Sequence, residues 1–144
     1  MITCWIWLAR AESASALALV SLLMAAVFLV TLALCLAVTG IAVALAGVLA
    51  FRRANTTVDP RVPQQSASLV IVGIYRYSRN PMYLGFLLLL AAYACYLQSW
   101  LAWALLPLFV LYMNQFQIKP EEHHLLQKFG SAYQAYLTKV RRWI

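Results

Sequence analysis

A chain of 144 residues that is 65% hydrophobic and only 10% charged departs from soluble domains, which are nearer half apolar and a quarter charged. Its net charge of +7, eleven Lys and Arg against four Asp and Glu, is carried by residues that flank apolar blocks. That placement suits loops against anionic headgroups and argues against nucleic-acid binding, so one integral membrane domain of all-α class is expected.

In chain order, Arg10 is the lone cation before an uncharged run, Leu17 to Phe51. The run is far too long for the apolar core of a cleaved signal. Leu32-Ala33-Leu34-Cys35 resembles a lipoprotein box only loosely, because a leucine precedes the cysteine and the position is late. As one helix the run would extend roughly 52 Å, beyond a hydrocarbon core of roughly 30 Å. Two spans within residues 13–51 are therefore expected, with a tight turn near Thr31 to Leu34. Gly40 and Gly47 fall in the second, where small residues let helices approach closely. Cys4, Cys35 and Cys95 lie scattered in apolar surroundings, with no CxxC spacing and no disulfide or metal site implied.

Residues 52–80 read as a cytoplasmic loop. Its start, RRANTTVDPRVPQQSASL, is polar and proline-bearing, and Asp59 reads as a turn residue before Pro60. SLVIVGIYRY, 68–77, reads as a short amphipathic piece at the interface. Asn80-Pro81 starts a helix, with Asn as N-cap and Pro at the first helical position. Residues 81–118 form a helical hairpin turned at Gln98-Ser99, with Pro107 a kink and Trp100 and Trp103 at the far interface.

Residues 119–144 form a cytoplasmic tail. Lys119-Pro120-Glu121-Glu122 starts another helix, whose acids suit the positive end of its dipole. Leu125, Leu126, Phe129, Tyr133, Tyr136, Leu137 and Val140 recur at helical spacing, as in an amphipathic helix lying on a membrane. Gly130 is a break or a close-packing point, and Arg141-Arg142-Trp143 is an anchor among headgroups. The expected architecture is thus a membrane bundle of about four transmembrane helices plus this interfacial helix. Four spans put every cation on one side, which gives cytoplasmic termini.

On that topology two helix starts face each other at the cytoplasmic surface. One offers free backbone N–H groups with Arg76 and Arg79, suited to a carboxylate or phosphate. The other offers Glu121 and Glu122, suited to an ammonium or to ribose hydroxyls. Tyr75, Tyr77 and Tyr83 supply faces for a flat ring or a cation. S-adenosylmethionine carries all the matching groups. The same Arg, Tyr and Trp content also suits plain membrane anchoring. His123 and His124 are helical neighbours that do not face one site, so no metal is expected.

These residues also carry a resemblance. GIYRYSRNPMYLG, the Glu121-Glu122 pair with Leu125, the run Phe129-Gly130-Ser131-Ala132-Tyr133-Gln134-Ala135-Tyr136 and the closing Val140 to Ile144 stand in order. Together they resemble isoprenylcysteine carboxyl methyltransferases and, more broadly, phospholipid methyltransferases. Asn55 to Pro60 is similar to a segment of small bacterial members, so the likeness covers roughly Arg52 to Ile144. It implies a helical membrane enzyme using S-adenosylmethionine on a lipid-like or isoprenoid substrate that enters between helices. Tyr75, Arg79, Asn80, Pro81, Tyr83, Gly85, Glu121 and Glu122 would line the cofactor, with Arg79 and Glu122 as the catalytic pair. Asn80 stands where the family has histidine, and its amide cannot titrate, so a proton-transfer role does not carry over to it. A carboxylate acceptor needs no general base, so orientation and desolvation would carry catalysis. The alternatives are an NADPH-dependent membrane reductase of related fold and a non-enzymatic membrane protein.

Overall fold

The computed structural model describes residues 2–54 and 69–144, with side chains from Ala16 onward. The loop segment containing Asp59, and Asn55 to Pro60 with it, lies outside the described residues. Every described regular element is helical: α1 (Ile2–Arg53), a 3-10 turn (Gly73–Arg76), α2 (Pro81–Leu97), α3 (Trp100–Tyr112), a π segment (Met113–Ile118) and α4 (Lys119–Lys139).

The expected turn at Thr31 to Leu34 is absent. Helix α1 is one rod of 52 residues, about 78 Å long. The reason is local. No Gly or Pro occurs before Gly40 in α1, and the polar side chains bond back onto the helix. Thr31 Oγ1 donates to the Val27 carbonyl at 2.8 Å, and Thr39 Oγ1 to the Cys35 carbonyl at 2.7 Å. A turn here would free backbone groups in an apolar stretch that offers nothing to receive them. Two helices, Ala16–Arg53 and the continuous Trp100–Lys139, are long and apolar enough to cross a bilayer; α2 is shorter. The two N-terminal spans thus become one, and the even count that put both termini on one side loses its basis. Arg10 and Arg52 lie on one rod, about 63 Å apart along its axis.

Helix α2 runs antiparallel to the C-terminal half of α1. Gly40 lies against Gly85, and Gly47 against Met82 and Pro81. A Cβ at Gly85 would sit 2.6 Å from the Gly40 carbonyl oxygen and 2.8 Å from Ala44 Cβ. A Cβ at Gly40 would sit 2.8 Å from the Gly85 carbonyl oxygen. The glycines thus serve packing within the chain, where no hydrophobic drive separates helix from lipid and close contact supplies the attraction.

The hairpin turn forms where expected. Gln98 caps α2 in the left-handed conformation (φ 50°), its N–H donating to the Ala94 carbonyl, and Ser99 opens α3 from extended backbone. Lys119-Pro120, by contrast, does not begin a separate helix. The α3 rod passes through the π segment into α4, with the Lys119 N–H donating to the Asn114 carbonyl, five residues back. Proline lacks the N–H an α-helix would need at 120, and a wider turn just before it accommodates that loss. Gly130 is a break: its φ of 53° is left-handed, and a Cβ there would meet nothing within 4 Å. Beyond it the chain folds back, burying Tyr133, Tyr136 and Val140 beside Leu69, Leu125 and Phe129.

Candidate functional site

The polar groups converge at one end of the α1–α2 pair. The apolar part of the long rod closes at Ile118, which is completely buried, and the charged run from Lys119 to His124 lies outside it. Tyr75 is buried against Ala50 and Val70, with its ring edge-on to Phe51 at 5.3 Å. Tyr136 Oη donates to the Tyr75 carbonyl at 2.7 Å and ties the folded-back part of α4 to the 3-10 turn. Tyr136→Phe is expected to leave that buried carbonyl unpaired and destabilise the fold by about 1–3 kcal/mol. Thermal unfolding in detergent followed by circular dichroism measures this; an unchanged midpoint would deny the tie its importance.

The start of α2 and the Glu121-Glu122 stretch of the long rod do meet. Tyr83 Oη, one turn into α2, donates to Glu121 Oε2 at 3.3 Å. Arg79 Nη2 lies 3.4 Å from Glu122 Oε1. Arg142 closes the group, its Nε donating to Glu122 Oε1 at 3.0 Å and its Nη2 to Oε2 at 2.6 Å. This forked, charge-assisted pairing is the geometry that arginine and carboxylate favour. Arg79 Nε is buried without a hydrogen-bond partner among the described residues.

Asn80 precedes α2 as expected, but its side chain does not cap the helix. Its Nδ2 donates instead to the Arg142 carbonyl at 2.9 Å, and the Arg79 N–H donates to the Arg141 carbonyl at 3.0 Å. Trp143 Nε1 donates to Asn114 Oδ1 at 3.0 Å, in the π segment. The C-terminal residues therefore lace the motif to the long rod. Arg142 and Trp143, read from the sequence as headgroup anchors, turn inward; only Arg141 has an exposed side chain at that point.

Of the sequence-predicted site residues, Arg79, Asn80, Tyr83, Glu121 and Glu122 form or adjoin this network. Pro81 is fully buried beneath it, and Tyr75 packs at its base. Gly85 faces α1 and serves the helix crossing. Arg76 and Tyr77 are exposed and belong to no part of the network described here. Sequence reasoning missed Arg142, Asn114 and Tyr136 as site-building residues. For Arg142 and Tyr136 the one available signal was the likeness of the closing segment and of the Phe129–Tyr136 run to family motifs; Asn114 had none.

Burial sets the electrostatics. It pushes the Glu121 carboxyl up to about 7, opposed by the Tyr83 hydrogen bond and reinforced by the Glu122 charge. The Tyr75 hydroxyl is driven well above its ordinary value by burial, with the Glu121 charge adding to the rise. The Arg142 guanidinium is raised by its hydrogen bonds to Glu122. The result is one carboxylate held between two guanidiniums, beside a second that is desolvated and easily neutralised.

A separate groove of about 620 Å³ lies between α1 and α2, lined by Leu29, Ala33, Leu34, Leu89, Tyr93 and Tyr96 among others. It is apolar and at the far end of α2. Tyr93 is ten residues, about 15 Å along the helix, from Tyr83.

A 63-residue uncharacterized protein of Haemophilus influenzae is 49% identical to the chain over its whole length, which is 44% of the present sequence. No solved structure matches the chain. The family model for phospholipid methyltransferases matches residues 28–132, a stretch that takes in the packed half of α1, the polar motif, α2 and the long rod as far as residue 132, with Glu121-Glu122. The chain belongs to the phospholipid methyltransferase family.

Proposed function

We propose that the polar junction binds S-adenosylmethionine and that the protein methylates a carboxylate on a lipid-like acceptor. The observation that carries this reading is the meeting of the start of α2 with the rod beyond Ile118, Tyr83 with Glu121 and Arg79 with Glu122. The donor set suits the ligand. Arg79 Nε, buried and unpartnered among the described residues, suits a carboxylate. The glutamates suit an ammonium and ribose hydroxyls. Tyr75, Arg79, Asn80, Pro81, Tyr83 and Glu121 are the residues assigned to hold it, while Glu122 fixes Arg79 beside it and Gly85 supports them through the helix crossing.

When bound, S-adenosylmethionine supplies a sulfonium methyl to an acceptor carboxylate, a C–O bond forming as the C–S bond breaks to leave a neutral thioether. The residues of this chain orient and desolvate. Pro81 and Ile118 exclude water below the network, and Arg79 with Glu122 fixes the spacing between the start of α2 and the long rod. Asn80 has its amide committed to the Arg142 carbonyl and moves no proton. None is needed, since a carboxylate is already ionised at neutral pH. Substrate lying in the bilayer reaches this end between α1, α2 and the long rod.

The test is methyl transfer from labelled S-adenosylmethionine into a total lipid extract by the purified protein. Label in an alkali-labile lipid ester is the expected result. Alkali-stable label would replace the carboxylate with a nitrogen or sulfur acceptor. Absence of both label and saturable cofactor binding, with NADPH bound instead, would overturn the reading in favour of a reductase.

A further inference from the structure

Glu121 and Glu122 are neighbours in sequence, yet the fold gives them different surroundings. Glu122 has both oxygens engaged by Arg142, at 3.0 and 2.6 Å, with Arg79 at 3.4 Å. A forked guanidinium fixes a carboxylate in position as well as in charge. Glu122 cannot offer those oxygens to a ligand without releasing Arg142. Glu121 accepts a hydrogen bond from Tyr83 at 3.3 Å, and the two guanidiniums are engaged with Glu122 instead.

Arg142 is itself held in place from both sides. Its carbonyl accepts from Asn80 Nδ2, the preceding carbonyl accepts from the Arg79 N–H, and the following Trp143 donates to Asn114. So many bonds within a few residues do not suit a headgroup anchor. They suit a strap whose guanidinium must reach one point.

We infer, on the methyltransferase reading above, that Glu121 is the carboxylate that meets the ligand's cation, and that Arg142 is a positioning residue that holds Glu122 away from it. Glu122 keeps Arg79 at the mouth of α2; Arg142 neutralises Glu122 so that two adjacent carboxylates can coexist at a buried site. The two acids then have separate tasks, one structural and one ligand-facing.

The groups that bear on Glu121 are Tyr75 from the 3-10 turn, Tyr83 from α2, Tyr133 from beyond the Gly130 break, and Glu122 beside it. Burial holds its carboxyl at about 7, so its ionised fraction, and with it the attraction for a cation, grows as pH rises through that value. S-adenosylmethionine affinity of the detergent-purified full chain is measured by calorimetry from about pH 5.5 to 7.5, below the α-amino range of about 7.7–8.0.

Wild-type affinity is expected to rise across this window. Glu121→Gln should weaken binding about tenfold or more and flatten the profile, because one partner of a charge pair is gone. Glu122→Gln should keep the rise. Arg142→Gln should move it to higher pH, since an unneutralised Glu122 repels the Glu121 charge, and Arg142→Lys should return part of that shift.

A flat profile in Glu122→Gln with a retained rise in Glu121→Gln overturns the inference. So does a wild-type profile in Arg142→Gln that melts like the native chain. Should Arg142→Gln not fold, the two glutamine variants still decide. No wild-type binding at any pH would instead fell the methyltransferase reading, an outcome distinct from these patterns.

Discussion

Gly85→Val is expected to prevent the α1–α2 pair from forming. A Cβ at this position would lie 2.6 Å from the Gly40 carbonyl oxygen and 2.8 Å from Ala44 Cβ, and the branched carbons of valine would reach further into α1. The obstacle is backbone, which cannot swing aside as a long side chain can. Overpacking a tight core costs about 1–3 kcal/mol, and more where backbone must shift. Here the crossing also sets the position of Pro81 and Tyr83, so the site should be lost with the packing. Thermal unfolding in detergent and the yield of monodisperse protein measure the effect. Native stability in Gly85→Val would mean that the two backbones are not in contact.

The second large effect is at Glu122. Glu122→Ala removes the single anion between Arg79 and Arg142, whose side chains are 13% and 31% exposed against 17% for Glu122. Two guanidiniums would be left facing each other with nothing between them. Breaking a buried ion pair on one side costs about 3–5 kcal/mol; partial exposure of Arg142 places this case toward the lower figure. The loss should appear first in the C-terminal strap, because Arg142 is its charged contact. Limited proteolysis is expected to cut between Val140 and Ile144 far faster in Glu122→Ala than in the native chain. Equal cleavage rates would show that the backbone bonds to Arg79 and Asn80 hold the strap without the ion pair. Glutamine at the same position keeps polar acceptors and should disturb the strap less.

The long helices were legible because apolar runs and punctuation are local properties. Asn80-Pro81 at the head of α2, Gln98-Ser99 at the hairpin turn and the amphipathic pattern after Lys119 could each be read from a few neighbouring residues. A 30 Å bilayer argued for breaking the first run in two, but no residue between Thr31 and Leu34 offers a break, and the helix continues. Pro120 looked like a helix start, and the π segment instead carried the rod through it.

The site shows the same division. Arg79, Tyr83, Glu121 and Glu122 could be named as partners from motif and topology, because both ends of the 81–118 hairpin had to emerge at one surface. Arg142 could not. An arginine near a chain end beside tryptophan has the composition of a headgroup anchor, and nothing in its neighbourhood says whether it faces lipid or protein. Its direction depends on the break at Gly130, which turns the chain back toward the motif, and on carbonyls of its own segment finding the Arg79 N–H and the Asn80 amide.

By itself, then, the sequence determined the helical membrane class, the family and the polar motif, all of which rest on residue types and short spacings. Only the tertiary structure decided that Gly85 belongs to a helix crossing, that Arg142 turns inward, and that Glu122 rather than Glu121 is held by two arginines. Those outcomes depend on contacts between residues 20 to more than 60 positions apart. They are set by which backbones can approach and which charges are left without water, and no local pattern encodes either.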